Sequence, residues 1–138
     1  MRYKNTKEFV IIRLDEDEEI IGSLCTICKK EKIQSALVSG IGALKKAEIG
    51  HYNKEKMYDR EKIEGYLEII SLSGNITLLD SKPSAHVHAA LGPKNFNIVG
   101  GHLFNGIVGP TCEITLIPLG IRIQRKPDKK TKLNLQSF

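Results

Sequence analysis

Short apolar segments rich in β-branched residues recur along this chain, and turn-forming residues separate them. Segments of this kind are typical of β-strands, and the Gly-Pro and Asn-Gly pairs at positions 92–93 and 105–106 are typical of turns. The pattern predicts seven or eight strands. We expect them at residues 9–14, 35–44, 46–52, 64–72, 73–79, 87–91, 96–99 and 111–116, and Ile121 and Ile123 are candidates for a short edge strand.

One segment has its apolar residues at helical spacing, and it follows a run of acids at residues 15–19. Its apolar positions are Ile20, Ile21, Leu24, Ile27 and Cys28. Acids suit the start of a helix and lysines suit its end, so we expect a helix at residues 16–32. Cys25 and Cys28 form a CxxC pair in the middle of this helix, away from the N-terminus that activates redox pairs. We interpret them as small apolar residues on a buried face.

Together these elements predict an α+β domain with a mostly antiparallel sheet of seven to eight strands and one main helix. A chain of 138 residues fits one domain with a sizeable core. No apolar run approaches the length of a membrane helix, and the first residues do not have the pattern of a secretory signal. The three cysteines cannot all pair within the chain, and reduced thiols suit the cytoplasm, which is the location we expect.

Three of the four histidines lie within residues 86–102, and they are the candidate metal ligands. His86 and His88 are two residues apart, so on a strand they point to the same face. A hairpin centred on Lys94 would place His86 opposite His102, with Cβ atoms about 5 Å apart. Three imidazoles on one face can hold zinc, nickel, copper or iron, and the ligand set alone does not choose among them. The alternative is that each histidine is an ordinary hydrogen-bonded strand residue.

The residues around His102 bear on how such a site would be completed. Gly100 and Gly101 precede His102, and this pair suits a backbone that bulges or that approaches another chain segment closely. A turn centred on Ile107 would place Cys112 opposite His102, where a thiolate would close the site and make it structural. A shift of one residue would move Cys112 to the other face.

The net charge of +5 is concentrated in residues 122–132. This segment holds six basic residues and one acid, so the remainder of the chain has 15 residues of each sign and is neutral. The basic residues are Arg122, Arg125, Lys126, Lys129, Lys130 and Lys132. We therefore expect a domain at residues 1–121 and a basic C-terminal tail at residues 122–138. Such a tail contacts phosphates or is a solvated, mobile end, and DNA binding by it is expected to be weak and non-specific.

Five motifs, in their order and spacing, resemble the PPC domain, the plant and prokaryote conserved domain that is also called PCC. They are Gly-Ile-Gly-Ala-Leu at 40–44, Leu-Glu-Ile-Ile-Ser-Leu-Ser-Gly-Asn-Ile at 67–76, His-Val-His-Ala at 86–89, Gly-Gly-His-Leu at 100–103 and Cys-Glu-Ile at 112–114. The resemblance implies an α+β fold with a mainly antiparallel sheet of seven strands, a homotrimer, and a divalent metal, often zinc, at His86, His88 and His102. In plants the domain follows the AT-hook motifs of nuclear DNA-binding proteins, and this chain has no Gly-Arg-Pro core of such a hook.

Three functions remain open at the level of sequence. The first is a trimeric metal-binding PPC-domain protein, with DNA binding assigned by family resemblance. The second is a metal-dependent enzyme acting on a small substrate at a three-histidine site between subunits, with a metal-activated water and Glu113 or Glu68 as base. Either glutamate is equally well explained as a carboxylate that is hydrogen-bonded within the sheet or across an interface. The third is a scaffold that binds a partner protein through an apolar patch.

Overall fold

Eight strands and one helix account for the regular structure of residues 1–55 and 57–138, the part of the chain that the computed structural model describes. The strands are β1 (Arg2–Asn5), β2 (Val10–Leu14), β3 (Ala36–Asn53), β4 (Met57–Leu79), β5 (Lys82–Gly92), β6 (Val99–Pro118), β7 (Gln124–Pro127) and β8 (Asn134–Ser137), and the helix α1 is Ile20–Lys30. All eight strands belong to one sheet, and every strand pairing is antiparallel except the β4–β7 contact. The predicted α+β class, with a mostly antiparallel sheet and one helix, is confirmed.

The sheet runs in the order β1-β2-β6-β3-β4-β7-β8, and β5 pairs with both β4 and β6. Because β3 also pairs with β4 and β6, the four strands β3, β4, β5 and β6 form a closed cycle of pairings. Strands β3, β4 and β6 have 18, 23 and 20 residues, several times the usual strand length of about five or six. Their length lets each of them pair with different neighbours in different sections. The cycle brings β5 against the first residues of β6.

Several predicted strand boundaries are wrong, because pairs of predicted strands are single long strands. Residues 35–44 and 46–52 join in β3, with register shifts at Gly40/Gly42 and Leu44/Lys46, and residues 64–79 lie within β4. The Asn105-Gly106 pair is not a turn, since β6 continues through it and pairs there with β3. Strand β3 pairs with β6 before and after this point, and this pairing overrides the local turn preference. In addition, β1 was not predicted.

The helix is shorter than predicted because the acidic run lies before it. Glu19 is the N-cap, and its carboxylate accepts hydrogen bonds from the backbone N–H groups of Ile21 and Gly22. The last turn contains Lys29 and Lys30, as expected for a helix C-terminus. Within the described residues, α1 has only 11 residues and lacks the length and apolar content that a membrane-crossing helix needs.

The helix packs on one face of the sheet, and in the described part of the chain the opposite, uncovered face carries no helix. Its buried residues are Ile20, Leu24, Ile27 and Cys28. They join the inward-facing residues Val87, Ala89 and Leu91 of β5 in one core cluster, where full burial of a large aliphatic side chain contributes about 1.5–3 kcal/mol. Burial raises the pKa of Cys28 to about 12, so this thiol is neutral and acts as a small apolar residue. The side chains that alternate with these on β5 therefore lie on the uncovered face.

The C-terminal segment is a β-hairpin in this structure. Strands β7 and β8 pair with each other, and Gln124 of β7 pairs with Leu78 of β4, so the hairpin extends the sheet. The hydroxyl of Tyr52 donates to the carbonyl oxygen of Thr131 at 3.1 Å and joins the hairpin to β3. The segment predicted as a basic tail is thus attached to the sheet beside β4.

Substituting Gly74 with alanine is expected to destabilise the protein by about 1–3 kcal/mol, the usual cost of overpacking. A Cβ on Gly74 would overlap the carbonyl oxygen of His86 and lie 2.7 Å from Cα of Val87, so β4 and β5 would have to separate. Urea unfolding measures the change. The matched control is Gly109→Ala, where an added Cβ has ordinary contacts starting at 3.4 Å, so the expected destabilisation is smaller than that of Gly74→Ala. Equal effects of the two substitutions would contradict this account of β5 packing.

Candidate metal centre

Three histidine side chains converge on the uncovered face of the sheet. His86 and His88 lie on β5, and His102 lies on β6 directly opposite His88. One ring nitrogen from each residue lies within 4.8 Å of the others, and the ring centroids are 5.1–5.5 Å apart. The structure therefore brings together the three histidines that the sequence selected. Imidazole nitrogens grouped on adjacent strands are a donor set used for zinc, copper, iron and nickel.

The hairpin that joins β5 and β6 has a different centre from the predicted one. His88 pairs with His102 and Leu91 pairs with Val99, so the hairpin is centred on Asn95 and His86 is not opposite His102. The predicted strand at residues 96–99 is mostly loop, where the Phe96 N–H donates to the carbonyl oxygen of Pro93 at 2.8 Å. Moving the centre by one residue shifts the pairing partner by two, and a shift of two keeps every side chain on its face. The error in register therefore left the histidine cluster intact.

The two glycines before His102 allow β6 to approach its neighbours. A Cβ on Gly100 would lie 2.6 Å from the carbonyl oxygen of Ala89 on β5, and a Cβ on Gly101 would lie 2.5 Å from that of Gly50 on β3. Neither distance is compatible with a side chain. The prediction that Gly100 and Gly101 mark a close backbone approach is confirmed, and this approach sets the distance between β5 and His102.

Aromatic rings enclose the side chain of His102. The Tyr58 ring lies 5.2 Å away by centroid, and the Phe104 ring lies 4.5 Å away in an edge arrangement. The guanidinium of Arg60 is stacked on Phe104 at 3.6 Å. Burial, reinforced by His86 and His88, lowers the pKa of His102 to about 4, so this imidazole is neutral near pH 7.

The buried Nδ1 atom of His102 has no hydrogen-bond partner within the described chain. Buried polar atoms of native proteins almost always have a partner, so an unsatisfied one needs an explanation. A neutral imidazole with an unshared nitrogen lone pair beside two further imidazoles fits a bound cation. The residues present are therefore compatible with a divalent metal ion.

Arg125, which the sequence assigned to a basic tail, lies against the histidine cluster. Its Nη2 atom is 3.2 Å from Nδ1 of His86, and because arginine has only donors, the imidazole nitrogen is the acceptor. The guanidinium also donates to Thr77 Oγ1 at 2.8 Å, to Asn75 Oδ1 at 2.7 Å and to the carbonyl oxygen of Asn134 at 2.8 Å. Burial, followed by the charge of Arg125, lowers the pKa of His86.

Sequence reasoning missed this role of Arg125, although a signal for it existed. Arg125 continues the alternation of Ile121 and Ile123, and Ile123 is buried. Alternation along an extended segment places Arg125 on the same face as Ile123, which immediately precedes β7. The remaining basic residues of the segment are exposed; they are Arg122, Lys126, Lys129, Lys130 and Lys132.

A cavity of about 250 Å³ adjoins the cluster. His86, His102 and Arg125 form its polar side, together with Lys132. Most of its apolar wall comes from Tyr58, Leu79, Leu133 and Leu135. The described residues that line the cavity include no aspartate and no glutamate. The β7–β8 hairpin thus provides one wall of a pocket whose charged side chains are all basic.

The glutamates considered as bases do not belong to the histidine cluster. Glu68 is exposed on β4 opposite Gly92, and Glu113 is exposed on β6, eleven residues beyond His102. Cys112 is buried opposite Leu14, and burial raises the pKa of its thiol to about 12. The turn that would have placed Cys112 opposite His102 does not exist, so Cys112 does not complete the cluster.

The fold and the cluster define a one-helix α+β domain with a three-histidine group on an open sheet face. The family model of the Plants and Prokaryotes Conserved (PCC) domain matches residues 1–120, and the chain belongs to this family. The predicted PPC/PCC membership is therefore confirmed. No curated protein sequence matches the chain significantly.

Solved structures agree with this assignment. A protein from Archaeoglobus fulgidus, described as metal-containing, is 36% identical with a TM-score of 0.88, over 94% of this chain and 93% of its own. A plant- and prokaryote-conserved (PPC) protein from Pyrococcus horikoshii is 36% identical with a TM-score of 0.86, over 94% of this chain and 92% of its own. A protein from Bacteroides thetaiotaomicron, described as a candidate DNA-binding protein, is 27% identical with a TM-score of 0.94, over 99% of this chain and 96% of its own.

Proposed function

We propose that this protein is a metal-binding PCC-domain protein in which His86, His88 and His102 hold one divalent ion, with zinc as the expected metal. The observation that carries the proposal is the grouping of three imidazole donors within 4.8 Å, one of them with a buried nitrogen that lacks a partner. Zinc sites commonly use histidine nitrogen. The description of the Archaeoglobus fulgidus relative as metal-containing supports the same conclusion.

A second candidate function is a metal-dependent enzyme that acts on a small substrate. An ion held by three imidazoles keeps an open position, and when bound it lowers the pKa of a water ligand toward about 7. The cavity beside His86 and His102 favours this candidate, since it offers space for a substrate next to the ion site. Glu68 and Glu113 lie outside the cluster of their own chain, so either could act as base only across a contact between subunits.

We also propose that the protein assembles as a homotrimer through the uncovered face of the sheet. Four large aliphatic side chains of that face are 39–60% exposed: Ile11, Leu37, Ile41 and Ile117. Leu37 pairs with Ile117, whereas Ile11 pairs with Thr115 and Ile41 pairs with Glu113. The four side chains thus lie on three adjacent strands, and exposed apolar side chains grouped in this way favour association. The number of subunits follows from the family resemblance. The histidines occupy the same face, so assembly would bring the metal site close to the interface.

The basic C-terminal segment is the proposed site of nucleic-acid binding. The description of the Bacteroides thetaiotaomicron relative supports DNA as a ligand of the family. In this chain Arg125 is engaged at the histidine cluster, which leaves five exposed basic residues in the C-terminal segment. Such residues give phosphate contacts without base recognition, so we propose weak, non-specific binding.

We propose that the protein is cytoplasmic, because its three cysteines are free thiols.

The His102→Ala variant is expected to lose most of its bound metal while remaining folded, because it removes one donor of the cluster without filling the space. Metal content is measured by mass spectrometry of protein purified without a histidine tag, and folding is checked by circular dichroism. The control is His51→Ala, which removes the fourth histidine, an exposed residue outside the cluster. Full metal stoichiometry in the His102 variant would refute the proposed site.

Light scattering is expected to give a mass three times that of the 15.4 kDa chain. Ile41→Glu should shift the mass toward the monomer, since it places a charge on the exposed apolar patch. Phe96→Glu serves as the control because it charges a highly exposed aromatic residue in the β5–β6 loop. A stable monomer of the unmodified protein at micromolar concentration would end the trimer proposal.

DNA binding is expected to have a Kd of about 10⁻⁴ to 10⁻⁶ M and a slope of log K against log salt concentration no steeper than about −4.5, for five phosphate contacts. Substituting Lys126, Lys129 and Lys130 with glutamine should weaken binding to AT-rich and GC-rich duplexes equally. The control substitutes three exposed lysines outside the segment, Lys4, Lys7 and Lys82. Tight, sequence-selective binding that survives the first set of substitutions would show that another part of the domain recognises DNA.

A further inference from the structure

The charge of Arg125 has no carboxylate partner in the part of the chain that the structure describes. Its hydrogen bonds go to Thr77, Asn75, the carbonyl of Asn134 and His86, all of which are uncharged acceptors. The guanidinium is only partly exposed, and the cavity next to it contains a second cation, Lys132, and no acid. A partly buried charge is normally paired, which favours a counter-charge supplied from outside the described chain.

Metal binding at the cluster would change the hydrogen bonding of Arg125. A neutral imidazole coordinates through one nitrogen and carries a proton on the other. If His86 coordinates through Nδ1, that atom can no longer accept from Arg125; if it coordinates through Nε2, Nδ1 carries the proton and again cannot accept. In both cases one Nη2 hydrogen of Arg125 is released.

Arginine has five N–H groups, and four are used in the described structure. The released Nη2 hydrogen and the remaining Nη1 hydrogen are therefore both available when the ion is bound. A guanidinium with two free N–H groups matches the two oxygens of a carboxylate. The dication adjacent to Arg125 increases the demand for an anion at the same place.

We propose that the cavity binds a small carboxylate with a short apolar body, held between Arg125 and the metal ion. This inference rests on the proposed metal site and adds the chemical class of its ligand. The apolar wall of Leu79, Leu133 and Leu135 suits the body of the ligand, and Lys132 adds a second positive charge. A volume of about 250 Å³ admits a metabolite of a few carbon atoms and is smaller than typical drug-binding pockets.

The experiment is a calorimetric titration of the full chain, zinc-loaded and chelator-treated, with 3-methylbutanoate and with 3-methylbutanamide, which has the same shape and no charge. The zinc-loaded protein is expected to bind the carboxylate at least about tenfold more tightly than the amide, the effect of one charge-assisted hydrogen bond. Removing zinc should weaken carboxylate binding, and the carboxylate should tighten zinc binding by the same factor.

Three variants separate the contributions. Arg125→Gln should weaken carboxylate binding about tenfold or more with undiminished zinc content, because glutamine cannot supply the charge. Lys132→Gln should weaken it about two- to threefold, as expected for an exposed charge, and since this side chain is exposed the variant keeps the fold. Lys129→Gln removes the same charge from an exposed residue that does not line the cavity, and it should have no effect.

The outcomes distinguish failure of this inference from failure of the metal proposal. If the protein binds zinc but does not bind the carboxylate at about 10 mM, or binds the amide equally well, the inference is overturned and the metal site stands. If zinc does not bind, the metal proposal is overturned, and equal carboxylate affinities of the zinc-free wild type and the Arg125→Gln variant overturn the inference separately.

Discussion

The close approach of β5 to both of its neighbours is the constraint on which the functional part of the molecule depends. Gly74 on β4 and Gly100 on β6 provide it, because a Cβ at either position would lie within 2.7 Å of β5 backbone atoms. Because β3 also pairs with both β4 and β6, these contacts complete the cycle of four strands. The two histidines of β5 reach His102 only because the backbones can come this close.

The electrostatics of the site follow from that packing. The rings of Tyr58 and Phe104 exclude water from His102 and keep it neutral, which is the state that a cation requires. Arg125 is fixed beside His86 by contacts to two strands and to the C-terminal hairpin. A metal ion held by His86 and the guanidinium of Arg125 would repel each other, and an anion between them would stabilise both. None of the described residues that line the cavity is an acid, so these residues supply no anion at that position.

In this proposal, the face of the sheet through which subunits associate also carries the metal site. The helix covers the inner face of the sheet, and the outer face presents both the histidine pair of β5 and the exposed aliphatic residues of β2, β3 and β6. Subunits that associate through this face would also limit access of water to the ion. Substitutions on the patch can therefore affect metal affinity without touching a ligand, and the oligomeric state has to be measured alongside metal content.

The local pattern of the sequence was sufficient for the fold class, the buried helix stripe and the grouping of three histidines. Each of these depends on periodicity within one element: His86 and His88 share a face because strand side chains alternate, and this holds in any register that differs by two residues. The position of His102 on the same face also survived the error in hairpin centre. The glycine pair before it was correctly interpreted as a close approach.

The tertiary structure alone decided which strands continue, which residues pair and where Arg125 lies. The Asn105-Gly106 pair has strong turn propensity, yet β6 passes through it because β3 offers pairing partners along both halves. The sequence does not distinguish Arg125 from the other cations of the basic segment, because its position depends on the pairing of β7 with β4. Periodicity along one strand specifies which face a side chain occupies, but contacts between distant strands depend on packing of the whole chain, and short segments carry no information about it.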